Sequence, residues 1–283
     1  MAHYDGDWLD GMYNNRTLVP DYETYLQRWA AASAHAARSE ACVLDVPYGS
    51  AASERLDVFP AAAPKAPVMV FVHGGYWRAL DKRDVSFVAP AFTRAGVCVV
   101  VPNYALAPAV SIPQITLQMV HALAWTFRNI ARHGGDPDRI TVVGHSAGGH
   151  LAAMLLACLW PVHGPDLPAD LVKSALAISG LHDLEPIMHA RLLQEDLRLT
   201  PEQVRQASPA GLPAPATGRL YAVAGGDESA EFLRQNALIG SAWGAGRVPV
   251  CEALPGLNHF SVLDALTDPQ HRLHRLAREL LAA

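Results

Sequence analysis

The segment between residues 140 and 151 places one serine in a pattern that few folds accommodate. A run of β-branched residues, which predicts a buried strand, ends in Gly-His-Ser-Ala-Gly, and small apolar residues then predict a helix. Ser146 therefore lies at a tight strand-to-helix turn. Gly144 and Gly148 stand two positions before and after it, where side chains would collide as the helix folds back on the strand.

This turn also predicts chemistry at Ser146. It places the hydroxyl at a helix N-terminus, where free N–H groups and the helix dipole favour developing negative charge. We therefore interpret Ser146 as a nucleophile. The alternative is an ordinary serine in a glycine-rich turn, because G-x-S-x-G is short and recurs by chance.

Strand and helix patterns alternate along most of the chain, which predicts an α/β fold with a mostly parallel, doubly wound sheet flanked by helices. Residues 181–215 break the alternation and predict a small lid insertion of short helices and turns. The predicted strands cover residues 42–46, 55–59, 68–72, 97–101, 140–143, 174–179, 220–224 and 248–254; the first two form a hairpin, and Pro249 places the last at a sheet edge. The predicted helices cover residues 21–37, 85–94, 115–133, 151–159, 231–243 and the C-terminal segment.

Length and composition limit the class of protein. The 283 residues suit a single domain spanning residues 1–283, with residues 1–38 as an N-terminal helical extension. A net charge of −5 argues against a nucleic-acid or membrane partner, and no uninterrupted apolar stretch reaches the length of a membrane span. The four cysteines are far apart, which is typical of a reducing compartment. We therefore expect a cytoplasmic protein that acts on a small molecule, and a homodimer is compatible with this expectation.

The sequence predicts no cofactor and no metal. No H-E-x-x-H, no phosphate-binding G-x-x-x-x-G-K-[ST] and no dinucleotide-binding G-x-G-x-x-G occurs in it.

Residues suited to acyl transfer follow four of the predicted strands. A serine hydroxyl needs a general base to accept its proton, and the base needs a third group to orient it. Asp227 and His259 each follow a late strand, and the carboxyl ends of parallel strands meet at one edge of a sheet. We predict His259 as the base and Asp227 as the orienting carboxylate. The competing carboxylates are Glu228, Asp183 and Asp264.

The strand predicted over residues 68–72 is followed by His73-Gly74-Gly75 and then by Tyr76 and Trp77. Glycines at this position let backbone N–H groups approach an acyl oxyanion, together with the N–H of the residue after the nucleophile. We interpret His73 as structural. Tyr76 and Trp77 are predicted to bind substrate, and the alternative for both is burial in the core.

These motifs resemble those of the serine-dependent kynurenine formamidase (arylformamidase) group of α/β hydrolases, close to the hormone-sensitive-lipase-like esterases. The resemblance rests on residues 73–77 and 144–150, and it extends to residues 13–16, 103–108 and 181–187. It implies an α/β-hydrolase fold with Ser146, Asp227 and His259 as the catalytic triad. It also implies an oxyanion hole formed by the N–H groups of Gly75, Tyr76 and Ala147, with Gly74 shaping the turn.

The resemblance further implies hydrolysis of N-formylkynurenine to kynurenine and formate. The lipase-like relatives often carry a glycine where this chain has Tyr76, which favours the formamidase side. A general carboxylesterase that acts on small aryl or alkyl esters is the alternative enzyme. A binding protein on an inactive hydrolase fold is the third hypothesis, and the presence of all three triad residue types argues against it.

Overall fold

The computed structural model describes residues 5–282. Within them, eight strands form one sheet in the order β1-β2-β4-β3-β5-β6-β7-β8. The strands are β1 (Val43–Pro47), β2 (Arg55–Phe59), β3 (Ala66–Val72), β4 (Cys98–Pro102), β5 (Gly135–His145), β6 (Val172–Ile178), β7 (Arg219–Gly225) and β8 (Val250–Leu254). The predicted strands are confirmed, with their ends shifted by a few residues.

The sheet is parallel except at one edge. Strand β2 pairs antiparallel with both β1 and β4, whereas all the pairs from β4 to β8 are parallel. The predicted hairpin is confirmed. Strand β8 begins directly after Pro249 and lies at the opposite edge of the sheet. A proline is tolerated there, because an edge strand has a neighbouring strand on one side only and does not need every N–H for a hydrogen bond within the sheet.

Fourteen helices surround this sheet within the described part of the chain. They are α1 (Gly6–Tyr13), α2 (Asn15–Leu18), α3 (Tyr22–Ser39), α4 (Lys82–Val85), α5 (Ala89–Thr93), α6 (Ile112–Asn129), α7 (Ala147–Leu156), α8 (Trp160–His163), α9 (Glu185–His189), α10 (Arg191–Leu197), α11 (Pro201–Ala207), α12 (Ala230–Trp243), α13 (Ser261–Thr267) and α14 (Arg272–Ala282). Short 3₁₀ segments occupy Ser86–Val88, Ile130–His133 and Pro209–Gly211. None of the helices among residues 5–282 is long and apolar enough to cross a bilayer.

Two predicted helices differ in detail from the observed ones. The helix expected over residues 85–94 is broken into α4, a 3₁₀ turn and α5, whose first turn contains Pro90. Proline lacks an N–H and therefore cannot continue the preceding helix. The helix expected over residues 115–133 begins earlier, at Ile112, where Ser111 and Gln114 form a capping box, and its last turn is 3₁₀.

Buried side chains form two hydrophobic cores, one on each face of the sheet. Successive residues of β3 alternate between them: Val68 and Val70 face the core beneath α6, α7 and α12, and Met69 and Phe71 face the core beneath α3, α13 and α14. Helices on both faces of a parallel sheet confirm the doubly wound α/β prediction. The residues between β6 and β7 fold as α9, α10 and α11, which confirms short helices in the predicted insertion.

Candidate active site

Ser146 occupies a strained turn between β5 and α7. Its φ and ψ are 57° and −120°, a region that costs a residue with a side chain on the order of 1–3 kcal/mol. A Cβ atom on Gly144 would lie 2.0 Å from the carbonyl oxygen of Gly148, and one on Gly148 would lie 2.0 Å from that of Val72. Both glycines are therefore required by close backbone approach, as the sequence predicts.

The imidazole of His259 lies between the serine and a carboxylate. Ser146 Oγ is 3.0 Å from His259 Nε2, and His259 Nδ1 is 2.6 Å from Glu228 Oε2. The His259 side chain is 6% exposed and the Glu228 side chain 0%. In this arrangement the serine can donate its proton to Nε2, while the carboxylate orients the ring and stabilises the imidazolium that forms.

The prediction that Asp227 orients His259 is wrong. Asp227 is exposed, and its Oδ1 accepts a hydrogen bond from the N–H of Gly256 at 3.3 Å. Glu228 is the carboxylate that meets His259, and the hydroxyl of Ser179 and the N–H of Gly225 donate to its other oxygen at 2.5 and 2.7 Å. The two acidic residues are adjacent, and the backbone that follows β7 turns the first toward solvent and the second inward.

The other two competing carboxylates lie away from His259. Asp183 pairs with Arg234 at 3.4 Å, and Asp264 forms an ion pair with Arg28. Neither has a contact with the imidazole among the hydrogen bonds of residues 5–282. Glu228 is therefore the alternative that the structure selects.

The loop after β3 lies directly against the serine turn. A Cβ atom on Gly74 would come within 2.9 Å of Ser146 Cβ, and Gly75 has a φ of +96°, which favours glycine. The N–H groups of Gly75, Tyr76 and Ala147 form no hydrogen bond within residues 5–282. They remain available to an anion beside Ser146, and their use as an oxyanion hole stays a prediction.

His73 has the structural role predicted for it. Its Nδ1 lies 2.9 Å from the carbonyl oxygen of Gly74, and its ring stacks on Tyr104 with the centroids 4.1 Å apart. The Tyr104 hydroxyl donates to the carbonyl oxygen of His73 at 2.9 Å. Burial lowers the pKa of His73, so the ring holds the loop as a neutral group.

Tyr76 and Trp77 face opposite ways. Tyr76 lines the cleft above Ser146, and its hydroxyl donates to the carbonyl oxygen of Tyr13 at 2.8 Å. Trp77 is fully buried and packs edge-on against His150, with the ring centroids 5.0 Å apart. The prediction of Trp77 as a substrate-binding residue is wrong, because this side chain belongs to the core.

The cleft has a volume of about 110 Å³, and most of its wall comes from segments that the sequence did not assign to a site. Besides Ser146, His259, Gly75 and Tyr76, it is lined by Tyr13, Asn14, Asn15, Arg16, Leu26, Trp29, Arg78, Ala79, Leu80, His145, Leu192 and Phe260. The resemblance at residues 13–16 was the available signal for the N-terminal part. No local pattern signals Leu192 or Phe260, because their place depends on contacts between distant segments.

His145, the residue directly before the nucleophile, lies beside the base. Its Nε2 is 2.8 Å from the carbonyl oxygen of His259, and the two rings are 4.7 Å apart. Burial, followed by repulsion from His259, holds the pKa of His145 well below its usual range. The neighbouring ring therefore adds no positive charge that would oppose protonation of His259.

Comparisons with known proteins point to one family. A family model described as alpha/beta hydrolase fold matches residues 69–233. The kynurenine formamidase of Danio rerio is 28% identical over 84% of this chain and 82% of its own length. Esterase LipQ of Mycobacterium tuberculosis is 37% identical over 50% of this chain and 35% of its own length. The crystal structure of a presumed thioesterase from a Silicibacter species superposes with a TM-score of 0.84 and 28% identity, covering 97% of this chain and 99% of the other.

Proposed function

The chain belongs to the α/β-hydrolase fold family, and from that premise we propose that it is a serine hydrolase that removes a small acyl group from aryl amides or esters. The substrate we favour is N-formylkynurenine, which would be cleaved to kynurenine and formate. The observation that carries the proposal is the continuous hydrogen-bonded series from Ser146 Oγ through His259 to the buried carboxylate of Glu228.

The reaction follows from this geometry. Ser146 Oγ attacks the formyl carbon while His259 Nε2 accepts its proton, and the oxyanion is received by the free N–H groups of Gly75, Tyr76 and Ala147. His259 then donates that proton to the departing aryl amine as the carbon–nitrogen bond breaks. Water, deprotonated by His259, then attacks the formyl-serine. The bond between the formyl carbon and Ser146 Oγ breaks, formate leaves, and His259 returns the proton to Oγ.

The size of the cleft supports a small acyl group. Its volume of about 110 Å³ is below the ~150 Å³ of an engineered protein cavity that holds one benzene molecule. The space beside Ser146 therefore suits a small acyl group, and an aryl leaving group would extend from it toward the open side of the cleft. The aromatic walls formed by Tyr76, Trp29 and Phe260 suit the flat ring of an aryl leaving group.

Similarity along the chain favours the formamidase. The match to the Danio rerio formamidase extends over most of both chains. A carboxylesterase that acts on small esters is the second candidate, because the match to esterase LipQ has the higher identity, although it covers half of this chain. Both reactions use the same nucleophile, base and oxyanion groups.

The proposal also assigns a role to the segments above the cleft. We infer that residues 181–215 act as a lid, and that the described part of the N-terminal extension, residues 5–38, contributes another part of the cleft wall. In support, Leu192 from α10 lines the cleft, and its carbonyl oxygen accepts a hydrogen bond from Arg78 at 2.9 Å. We place the enzyme in the cytoplasm, as the cysteine pattern predicts.

The test compares kcat/KM for N-formylkynurenine and p-nitrophenyl acetate, measured with the wild type, Ser146→Ala and Ser241→Ala. Ser241 is an exposed helical serine and serves as the matched control. A formamidase prefers N-formylkynurenine at least tenfold, and the reverse preference identifies a carboxylesterase. Turnover of either substrate that survives Ser146→Ala would refute the serine mechanism.

A further inference from the structure

One corner of the cleft holds a buried hydrogen-bond donor that has no acceptor. Asn15, on α2, is 7% exposed and lines the same cleft as Ser146. Its Nδ2 has no hydrogen-bond partner within residues 5–282. Buried polar groups are rarely left unpaired, so an unpaired donor on a cleft wall points to an acceptor that arrives with a ligand.

The next residue supplies a positive charge at the same corner. Arg16 is exposed, and its guanidinium lies 5.4 Å from the centroid of the Tyr22 ring. It takes part in none of the ion pairs found among residues 5–282. Arg78, the other arginine of the cleft, differs because it is paired with Asp196 at 2.5 Å.

The charge of the cleft is opposite to that of the protein. Arg16 lines it without an ion-pair partner among residues 5–282, and its described lining contains no aspartate or glutamate, whereas the chain as a whole carries a net charge of −5. A cleft lined by one sign of charge attracts ligands of the other sign. The geometry therefore favours a substrate with an anionic group.

The corner is held in place before any substrate binds. Asn14 Oδ1 accepts a hydrogen bond from the N–H of Thr17 at 3.3 Å, which caps α2. The preceding residue, Tyr13, is fully buried, and its hydroxyl donates to Glu231 at 2.6 Å. A donor that is already positioned loses little conformational freedom on binding, which favours recognition.

We propose that Asn15 Nδ2 and the guanidinium of Arg16 bind a carboxylate on the leaving group of the substrate. This inference rests on the proposed function, because a small acyl group leaves only the leaving group to carry the carboxylate. An ammonium group on the same substrate finds no carboxylate in the cleft lining and remains in solvent. The enzyme therefore selects aryl acids, and an α-amino group contributes little to recognition.

The experiment compares two formanilides that differ by a carboxymethyl group: N-formylkynurenine lacking its amino group, and neutral ortho-formamidoacetophenone. The variants are Arg16→Gln, Arg16→Lys and Arg132→Gln. Arg132 is an exposed arginine that lies shortly before the amino end of β5, whereas Ser146 and the cleft lie at its carboxyl end, and it serves as the matched control.

We expect the wild type and Arg132→Gln to prefer the acid by about tenfold in kcat/KM, mainly through KM, as for a charge-assisted hydrogen bond near solvent. Arg16→Gln removes most of this preference, and Arg16→Lys retains part of it. The preference falls with added salt, because exposed charges are screened. N-formylkynurenine itself is cleaved about as well as its analogue without the amino group.

Two results would overturn the inference: no preference for the acid in the wild type, or an equal preference after Arg16→Gln. A second pair, meta-acetoxybenzoate and phenyl acetate, separates this inference from the proposed formamidase activity. If neither formanilide is cleaved, the formamidase assignment fails, and the two esters still decide whether Arg16 selects a carboxylate.

Discussion

Replacing Glu228 by glutamine tests the orienting carboxylate directly. Glutamine keeps a carbonyl oxygen that can accept the hydrogen bonds of the Ser179 hydroxyl and the Gly225 N–H, so the loop keeps these two contacts. Its amide group, however, now faces His259 Nδ1 and can donate to it. The imidazole then carries its proton on Nε2, where it cannot accept the proton of Ser146.

The size of the effect follows from the lost charge. Glu228 and His259 are buried and 2.6 Å apart at their nearest atoms. With a charge separation of roughly 4 Å and an effective dielectric constant of about 20, the carboxylate stabilises the imidazolium by about 4 kcal/mol. A change of about 1.4 kcal/mol in the activation free energy alters the rate tenfold, so losing this charge lowers kcat by close to a thousandfold. The wrong tautomer lowers kcat further, toward the ~10⁴-fold loss seen for the equivalent change in a serine protease.

The matched control is Asp227→Asn, which changes the neighbouring carboxylate in the same way. Asparagine can still accept from the N–H of Gly256, so we expect kcat to change by less than about threefold. The assay is steady-state hydrolysis of one substrate by both variants, with thermal unfolding to show that each is folded. Equal losses in the two variants, or a Glu228→Gln enzyme that keeps a tenth of its activity, would refute the reasoning.

Three further predictions follow from the same structure. Burial lowers the pKa of His150 to about 4 and that of His182 to about 3, while an unfolded histidine titrates near ~6.5. The unfolded chain therefore binds protons that the folded chain does not. Stability that is present above pH ~6.5 is lost as the pH falls, by about 2 kcal/mol per histidine at pH ~5. Urea unfolding above pH ~6.5 and at pH ~5 measures this loss of stability, and His182→Phe should reduce it. Gly148→Ala places a Cβ atom 2.0 Å from the Val72 carbonyl oxygen and should cost about 3 kcal/mol, whereas Gly211→Ala, which has open space around it, should leave the thermal midpoint within a degree or two. A chelator should leave the hydrolysis rate unchanged, since residues 5–282 contain no cluster of three metal-ligating side chains; a loss of activity that zinc restores would contradict the serine mechanism.

Hydrophobic patterning and glycine placement determined much of this protein. Continuous apolar runs predicted the buried parallel strands, because a strand covered on both faces has no polar side. Gly144 and Gly148 predicted the serine turn, because the collision they avoid is local and involves only neighbouring backbone. The position of His259 after the last strand followed from the rule that parallel strands end at one edge.

Only the tertiary structure decided which side chains meet at that edge. Asp227 and Glu228 are adjacent acids after the same strand, and sequence spacing does not distinguish them. The loops after β7 and β8 set the choice through backbone contacts, such as the hydrogen bond from the N–H of Asp227 to the carbonyl oxygen of Leu257. Likewise, positive φ angles at Tyr76 and Trp77 turn one ring into the cleft and the other into the core. Side-chain direction in a loop depends on torsion angles that distant segments impose, and such contacts leave no periodic pattern in the sequence.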